Sequence, residues 1–237
     1  MNKFRGLIFN LLYTSSVLIF SIPAALIAPL LNYQRRVRFL SIWPRTVQGL
    51  LALTCGIRFR IEGRENLPKT PYVLISNHQS TWETLTLFYL FAPITAVLKR
   101  ELTYIPLFGW LLHLTRPIVI DRKRKQSALK EILRQGQALL ADGVSVVIFP
   151  EGTRVPVSED RPHFPGGAML ACKAGVPVVP VAHNAGQHWP AHRLDKIPGE
   201  ITIRIGSAIT TEGRSPKELN QELERWINEQ KHTLSAP

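Results

Sequence analysis

The chain has 237 residues, enough for one large α/β domain with a sizeable core or for two small domains. Its formal net charge of +12 implies an anionic partner: nucleic acid, an anionic membrane surface or a phosphorylated substrate. Zinc-finger, RNA-binding-strand and basic-zipper patterns are absent from the sequence, so we exclude these nucleic-acid-binding classes and expect no nucleic-acid partner.

The apolar content is concentrated at the start of the chain, where Gly6 to Leu31 is mostly apolar and contains no charged residue. This run exceeds the roughly 20 residues that cross a bilayer core. A cleaved signal peptide is the alternative, because Lys3 and Arg5 give a positive start. We favour a retained anchor, since the run is too long for a typical signal core and an arginine-rich stretch follows it. Phe39 to Ile57 is predicted to be an interfacial helix, so residues 1–57 form the anchoring segment and the number of crossings stays open.

From residue 58 onward, short β-rich runs alternate with helical patterns. The predicted strands are Phe59–Glu62, Tyr72–Ser76, Ala96–Lys99, Pro117–Asp121, Val144–Phe149, Val178–Ala182 and Ile201–Ile209. The predicted helices are Thr81–Phe91, Leu107–Leu114, Gln126–Ala141, Gly167–Ala174 and Pro216–Lys231. Because this alternation is typical of a sheet covered by helices, we predict an α/β fold over residues 58–237 with a mixed, mostly parallel central sheet, preceded by the N-terminal membrane-anchoring helical segment.

The stretch Ser76 to Glu83 places a histidine and a carboxylate between a predicted strand and a predicted helix, where α/β proteins usually carry their chemistry. The alternative is a capping box, in which Ser80 and Glu83 only satisfy free amides at the helix start. Positions five apart on one helix differ by about 140°, so His78 can meet Glu83 only from the loop before the helix. We expect a capping role of Glu83 to compete with a catalytic one.

A second polar stretch, Phe149 to Arg154, also begins where an apolar strand ends. The guanidinium of Arg154, the hydroxyl of Thr153 and the backbone amides at Gly152 are groups that bind phosphate. The alternative is that the stretch forms an ordinary surface turn. Further cations, Lys99 and Arg122, stand at or after the ends of two other predicted strands. Two prolines in the strand from Val176 to Val181 predict an edge strand or an irregular strand that borders a groove.

The remaining patterns argue against a metal site. The two cysteines, Cys55 and Cys172, have no Cys-x-x-Cys spacing, and we expect both to be reduced thiols, as in a chain that faces a reducing cytoplasm. No cluster of histidines and cysteines has the spacing of zinc ligands. We therefore predict no metal and no tightly bound cofactor.

Four stretches together resemble the sequence blocks of the glycerolipid acyltransferase family, whose best-known members are the 1-acylglycerol-3-phosphate acyltransferases. Asn77-His78, with a carboxylate five residues after the histidine, resembles block one. The second, third and fourth blocks are similar to Lys99–Gly109, Phe149–Arg154 and Val176–Val181. All four occur in the order found in the family, and the probability that four blocks match in order by chance is very small.

The resemblance implies acyl transfer from a thioester, either acyl-CoA or acyl carrier protein, to the free sn-2 hydroxyl of lysophosphatidic acid, which gives phosphatidic acid for phospholipid biosynthesis. It implies that His78 is the general base and that Glu83 orients the histidine ring. The implied substrate-binding residues are Asn77, Lys99, Arg122, Glu151, Gly152, Thr153 and Arg154.

Two positions depart from the usual family pattern. Glu83 stands where block one usually has aspartate, and Phe164-Pro165-Gly166-Gly167 lacks the lysine of the usual Phe-Lys-x-Gly segment. If that lysine binds phosphate elsewhere in the family, Arg122 or Lys99 must replace it here. His188-Trp189-Pro190 and Ala182–Gly186 are similar to a bacterial branch of the family, which implies the inner (cytoplasmic) membrane and a catalytic part that faces the cytoplasm. The positive charge around the apolar segment favours an anionic membrane surface as partner.

Other functions remain alternatives on the sequence. The acceptor could be another lysolipid or an aminolipid precursor, and a non-catalytic lipid-binding protein could keep the same fold. A lipid hydrolase is disfavoured, because the Gly-x-Ser-x-Gly pattern of a serine nucleophile is absent from the sequence. Acyl-chain length, the choice of donor and the oligomeric state stay open.

Overall fold

The structure is a computed structural model that describes residues 1–236 and contains one seven-stranded sheet. The strands are β1 (Ile57–Glu62), β2 (Val73–Ser76), β3 (Ile94–Lys99), β4 (Ile118–Ile120), β5 (Ser145–Ile148), β6 (Val178–His183) and β7 (Gly199–Ile205). The α-helices of the described residues are α1 (Asn2–Ile27), α2 (Tyr33–Leu40), α3 (Ile42–Cys55), α4 (Trp82–Leu90), α5 (Phe108–Leu114), α6 (Lys125–Ala141), α7 (Gly166–Ala174), α8 (Ala185–His188) and α9 (Pro216–Ser235). The predicted α/β fold is confirmed.

The order of the strands across the sheet is β1-β7-β6-β2-β5-β3-β4. The strands from β6 to β4 run parallel to one another, whereas β7 is antiparallel to β6 and β1 follows the direction of β7. Because the carboxyl ends of parallel strands meet at one edge, the segments that follow β2, β3, β4 and β5 lie side by side. The sheet is therefore mixed and mostly parallel, as predicted.

Helices cover both faces of the sheet and form two apolar cores. Successive side chains of a strand point to opposite faces, so each central strand supplies both cores. Leu74 of β2 enters the core that contains residues of α1, α3 and α4. Its neighbour Val73 enters the core that contains residues of α6, α7 and α9. Burial on both faces explains why the central strands are apolar almost throughout.

Helix α1 packs against the α/β part of the molecule. Its Phe9 is fully buried and meets the ring of Trp189 edge to face at 5.0 Å. A Cβ atom added to Gly6 would lie 2.0 Å from the carbonyl oxygen of Leu194, so the loop before β7 rests directly on the helix backbone. Within residues 1–236, one helical stretch, Asn2–Leu30, is long and apolar enough to cross a membrane, and few of its residues are buried.

The segment predicted as one interfacial helix, Phe39–Ile57, differs in the structure. It is divided between the end of α2 and the whole of α3, and Ser41 lies at the junction. The Ser41 hydroxyl donates to the Val37 carbonyl at 2.7 Å and thereby closes the end of α2. Helix α3 ends at Gly56, whose φ of 66° is in the left-handed region that glycine adopts readily.

The prediction that the proline-containing strand lies at an edge is wrong, because β6 lies between β7 and β2 in the middle of the sheet. The carbonyl of Pro180 accepts a hydrogen bond from the Gly206 amide at 2.9 Å. The ring nitrogen of Pro180 faces the same neighbour, since the N and O atoms of a strand residue point to one side. On that side of β6, the neighbouring strand β7 ends at Ile205. Pairing with β6 resumes only at the bridge between Ile209 and Val178. Pro180, which has no N–H, therefore faces the irregular stretch after β7, where no regular β-ladder requires that donor.

We expect Gly6→Ala to reduce the free energy of unfolding by about 1–3 kcal/mol, because the new methyl group would force α1 away from the Leu194 carbonyl. Thermal unfolding of the full chain in detergent measures this change. Gly49→Ala is the matched control, since Gly49 is an exposed helical glycine with no atom within 4 Å of its added Cβ. It should be neutral or stabilising by up to about 1 kcal/mol. Equal effects of both variants would show that α1 is not held at Gly6.

Candidate active site

Polar side chains gather at the edge of the sheet where β2, β3, β4 and β5 end. A cavity of about 850 Å³ opens at this edge. The volume lies within the range of ~300–1,000 Å³ that is common for small-molecule sites. The polar residues in its wall include His78, Lys99, Arg122, Thr153 and Arg154. The parallel strand order therefore brings together residues that are far apart in the sequence.

His78 and Glu83 are in direct contact. His78 lies in the loop after β2, and Glu83 lies in the first turn of α4, as the helical geometry required. The Nδ1 atom of His78 is 2.8 Å from Oε1 of Glu83. The Glu83 side chain is fully buried, and the His78 side chain is nearly so. The contact is therefore largely shielded from solvent.

The expected competition between capping and histidine binding is wrong, because one oxygen of Glu83 does both. Oε1 accepts hydrogen bonds from the backbone amides of Gln79 at 2.8 Å and Ser80 at 2.7 Å, in addition to its contact with His78. The hydroxyl of Ser80 in turn accepts from the Trp82 amide at 3.0 Å. The helix start is capped by the same bonds that fix the histidine loop.

Glu83 is held as an ionised carboxylate in spite of its burial. Burial alone raises the pKa of Glu83, but the neighbouring His183 and His78 rings and the hydrogen bond from Ser80 more than offset it, so the pKa is lowered. An ionised carboxylate can only accept, so Nδ1 of His78 is the protonated nitrogen.

The remaining contacts of His78 leave its Nε2 atom without a hydrogen-bond partner among the described residues. The ring stacks on Phe149 with centroids 4.4 Å apart, and it forms part of the cavity wall. No residue among those described forms a hydrogen bond to Nε2. With its proton on Nδ1, the neutral ring carries a lone pair on Nε2, which can take a proton from a hydroxyl in the cavity.

Cations line the cavity beside His78, and two of them are fixed by backbone carbonyls. Arg154 Nε donates to the Ser80 carbonyl at 3.1 Å, and an Arg122 guanidinium nitrogen donates to the Gly152 carbonyl at 2.5 Å. Burial is the main cause that lowers the pKa of Arg122; the charge of Arg154 lowers it further, whereas Glu101 opposes both. An arginine stays charged throughout the accessible pH range. The resulting positive potential is suited to a phosphate group.

The structure places Asn77 and Glu151, which the sequence suggested for substrate binding, outside the wall of the cavity. Asn77 is buried, and its side chain donates to the His183 carbonyl at 2.9 Å and accepts from the His183 amide at 3.0 Å. These bonds join the ends of β2 and β6. Glu151 accepts from the backbone amide of His78 at 3.1 Å. The side chains of both residues are used to hold loops.

Apolar side chains of the N-terminal helices and of the α/β part form the rest of the cavity wall. Trp43 is held in place by a hydrogen bond from its Nε1 to the Ser16 hydroxyl at 3.1 Å. The apolar wall includes Tyr13, Val17, Phe20, Leu40, Trp43, Leu85, Phe88, Val97, Phe108, Leu111 and Leu112. The cavity thus combines a cationic part with a long apolar part.

Sequence reasoning missed Tyr13 and Trp43, because the pattern of an apolar segment does not show which face lines a cavity. It also missed the structural role of His183, although a polar pair directly after an apolar strand was a usable signal. Burial lowers the pKa of His183, and its Nε2 is 2.9 Å from the Asn77 carbonyl, so this buried ring helps to join the ends of β2 and β6. Among residues 1–236, no group of three or more His, Cys, Asp or Glu residues could hold a metal ion.

Comparison with known proteins gives consistent matches. The family model described as "Acyltransferase" matches residues 58–184. A 1-acyl-sn-glycerol-3-phosphate acyltransferase of Pseudomonas aeruginosa is 45% identical over 95% of this chain and 89% of its own length. One of Saccharomyces cerevisiae is 27% identical over 91% of this chain and 72% of its own length. The crystal structure of a 1-acyl-sn-glycerophosphate acyltransferase from Thermotoga maritima shares the fold, with a TM-score of 0.82 and 23% identity over 100% of this chain and 97% of that chain.

We expect Asn77→Ala to lower the free energy of unfolding by about 1–3 kcal/mol, because it leaves a buried donor and a buried acceptor of His183 unpaired. Urea unfolding in detergent measures the effect. Asn66→Ala is the control: this half-buried residue donates one hydrogen bond, to the Ile205 carbonyl, and its loss should cost less. Unchanged stability of Asn77→Ala together with weaker phosphate binding would instead place Asn77 in the binding site.

Proposed function

The chain belongs to the acyltransferase family, and we propose that it transfers a fatty acyl group from a thioester to the free sn-2 hydroxyl of 1-acyl-sn-glycerol-3-phosphate, giving phosphatidic acid. One observation carries the proposal: His78 is bonded through Nδ1 to an ionised carboxylate, while Nε2 is left for the cavity. The names of the similar proteins from Pseudomonas aeruginosa and Saccharomyces cerevisiae support this acceptor.

In the proposed mechanism, Nε2 of His78 takes the proton of the acceptor hydroxyl as its oxygen attacks the thioester carbonyl. Glu83 stabilises the imidazolium that forms and keeps the ring in the required tautomer, the role that an aspartate has in a catalytic triad. The tetrahedral intermediate then collapses, the carbon–sulfur bond breaks, and the departing sulfur receives the proton from His78. No serine or cysteine nucleophile is required.

The phosphate of the acceptor is proposed to bind the cations in the cavity wall. Arg154 and Arg122 supply guanidinium groups, and Thr153 supplies a hydroxyl. Lys99 lines the same cavity and is 3.4 Å from Glu101. Charge-assisted hydrogen bonds of this kind contribute about 1.5–3 kcal/mol each. Arg122 and Lys99 would then replace the lysine that is missing from Phe164-Pro165-Gly166-Gly167.

The apolar part of the cavity is proposed to hold an acyl chain. Burial of a methylene group contributes about 0.8 kcal/mol, so a long chain in this cavity would supply a large share of the binding energy. The donor is proposed to be acyl-CoA or acyl carrier protein, both of which present the acyl group as a thioester. Another lysolipid or an aminolipid acceptor would use the same base, so the acceptor must be tested directly.

The test is an assay of the purified full chain in detergent with lysophosphatidic acid and, in separate arms, acyl-CoA or acyl carrier protein. We expect phosphatidic acid and free thiol in equal amounts from at least one donor. His78→Ala should lower kcat about 10²–10⁴-fold while the chain still folds, because the general base is lost.

His113→Ala is the matched control, since His113 is an exposed histidine of α5 outside the cavity wall. It should keep the wild-type rate. Absence of phosphatidic acid with both donors, or full activity of His78→Ala, would contradict the proposed function. Parallel arms with other lysolipids decide between the acceptors.

We further propose that residues 1–57 attach the chain to the bacterial inner membrane and that residues 58–237 form the acyltransferase domain on its cytoplasmic side. The apolar stretch Asn2–Leu30 supports attachment. Tyr104, Ile105 and Trp110 are exposed on the segment that includes α5, which contacts α1. Tyrosine and tryptophan side chains favour the membrane–water interface. The net charge of +12 favours an anionic surface.

Thiol labelling tests the orientation, because the chain has two cysteines and only Cys172 is partly exposed, while Cys55 is buried. We expect a membrane-impermeant maleimide to label Cys172 in inverted membrane vesicles but not in intact spheroplasts. Cys172→Ser should abolish the signal in inverted vesicles. Labelling in spheroplasts would place the domain outside the cytoplasm, and recovery of the chain in the soluble fraction would contradict membrane attachment.

A further inference from the structure

Glu151 and His78 occupy equivalent positions at the edge of the sheet. Strands β2 and β5 are parallel neighbours, and Ile75 is paired with Ile148 in their register. His78 follows the first of these residues by three positions, and Glu151 follows the second by three. The two residues therefore leave the sheet side by side, which explains how Glu151 reaches the backbone of the histidine loop.

The segment after β5 holds the backbone of His78 at two atoms. Glu151 Oε1 accepts from the His78 amide at 3.1 Å, and the Val155 amide donates to the His78 carbonyl at 2.8 Å. The ring of Phe149 stacks on the imidazole. Together with the bond from Nδ1 to Glu83, these contacts fix both the peptide and the ring of His78.

We propose that Glu151 is a positioning residue for His78: it accepts the backbone amide of His78, keeps Nε2 directed into the cavity, and does not contact the phosphate of the acceptor. This inference rests on the proposed function, in which His78 is the base.

The environment of the Glu151 carboxyl group is unsuited to binding an anion. Glu151 lies outside the cavity wall, and its Oε2 is shut off from solvent without a donor among the described residues. Burial, reinforced by the charge of Glu83, raises the pKa of Glu151 to about 7, although backbone hydrogen bonds and the charge of Lys231 oppose the increase. A carboxyl group with these surroundings is suited to backbone donors and not to a phosphate.

The chemistry predicts which substitutions are tolerated. Glutamine has the same length and keeps a side-chain oxygen that accepts the amide of residue 78, so it should preserve the position of the histidine. Alanine removes the acceptor and leaves the amide unpaired. A displacement of a catalytic group by about 1 Å can lower the rate about 10²-fold.

The first experiment compares steady-state kinetics of wild type, Glu151→Gln and Glu151→Ala with lysophosphatidic acid. We expect Glu151→Ala to lower kcat about 10–100-fold with KM for the acceptor within about twofold, and Glu151→Gln to restore kcat. Glu159→Ala is the matched control, because Glu159 is an exposed residue of the same loop and should leave both constants unchanged. A raised KM with unchanged kcat in Glu151→Ala, or equal losses of kcat in both Glu151 variants, would overturn the proposal.

The second experiment does not depend on activity. Hydrogen exchange followed by mass spectrometry is measured on peptides that contain the His78 amide. We expect exchange about 10-fold or more faster in Glu151→Ala and unchanged in Glu151→Gln, because only alanine removes the acceptor. If wild type does not acylate lysophosphatidic acid, the proposed function fails. Hydrogen exchange still tests whether Glu151 accepts a hydrogen bond from the His78 amide. Unchanged exchange in Glu151→Ala would overturn the inference by itself.

Discussion

A single carboxylate oxygen, Oε1 of Glu83, determines the arrangement of the active-site edge. It accepts three donors at once, from the His78 ring and from the Gln79 and Ser80 amides. These bonds start α4, close the loop after β2 and select the tautomer of the histidine. Helix α4 is in turn joined to α3 through Gln48, which accepts from the Trp82 indole and donates to the Thr86 hydroxyl. The position of the His78 ring is thus linked to the packing of the N-terminal helices.

Strand and helix periodicity was sufficient to predict the α/β fold and the edge of the sheet where the polar cavity residues gather. It also placed His78 in a loop and Glu83 in the first helical turn. The direction in which a loop side chain points depends on its neighbours in space, so the sequence could not show that Asn77 and Glu151 lie outside the cavity wall. The position of the proline-containing strand also depends on long-range pairing: Pro180 is tolerated inside the sheet because the strand beside it ends at Ile205.

The cavity has a cationic part and an apolar part, which are formed by different elements of the fold. Its cationic part is built from loops that follow parallel strands, which is where α/β folds commonly bind phosphate-containing ligands. Its apolar part is closed by α1 and α3 of the N-terminal segment and by α4 and α5 of the α/β part. A substrate that has a phosphate at one end and a hydrocarbon chain at the other fits this division.

Helix α1 has two faces with different constraints. Phe9 and Gly6 pack against the loop before β7, and Tyr13 and Val17 line the cavity. Most of the other residues of the helix are exposed and apolar. Under the proposed membrane attachment, a change that adapts the chain to a bilayer of different thickness would also alter the shape of the cavity. Lipid composition and the proposed acyl-chain preference would then be linked through one helix and would be transferred together in chimeric proteins.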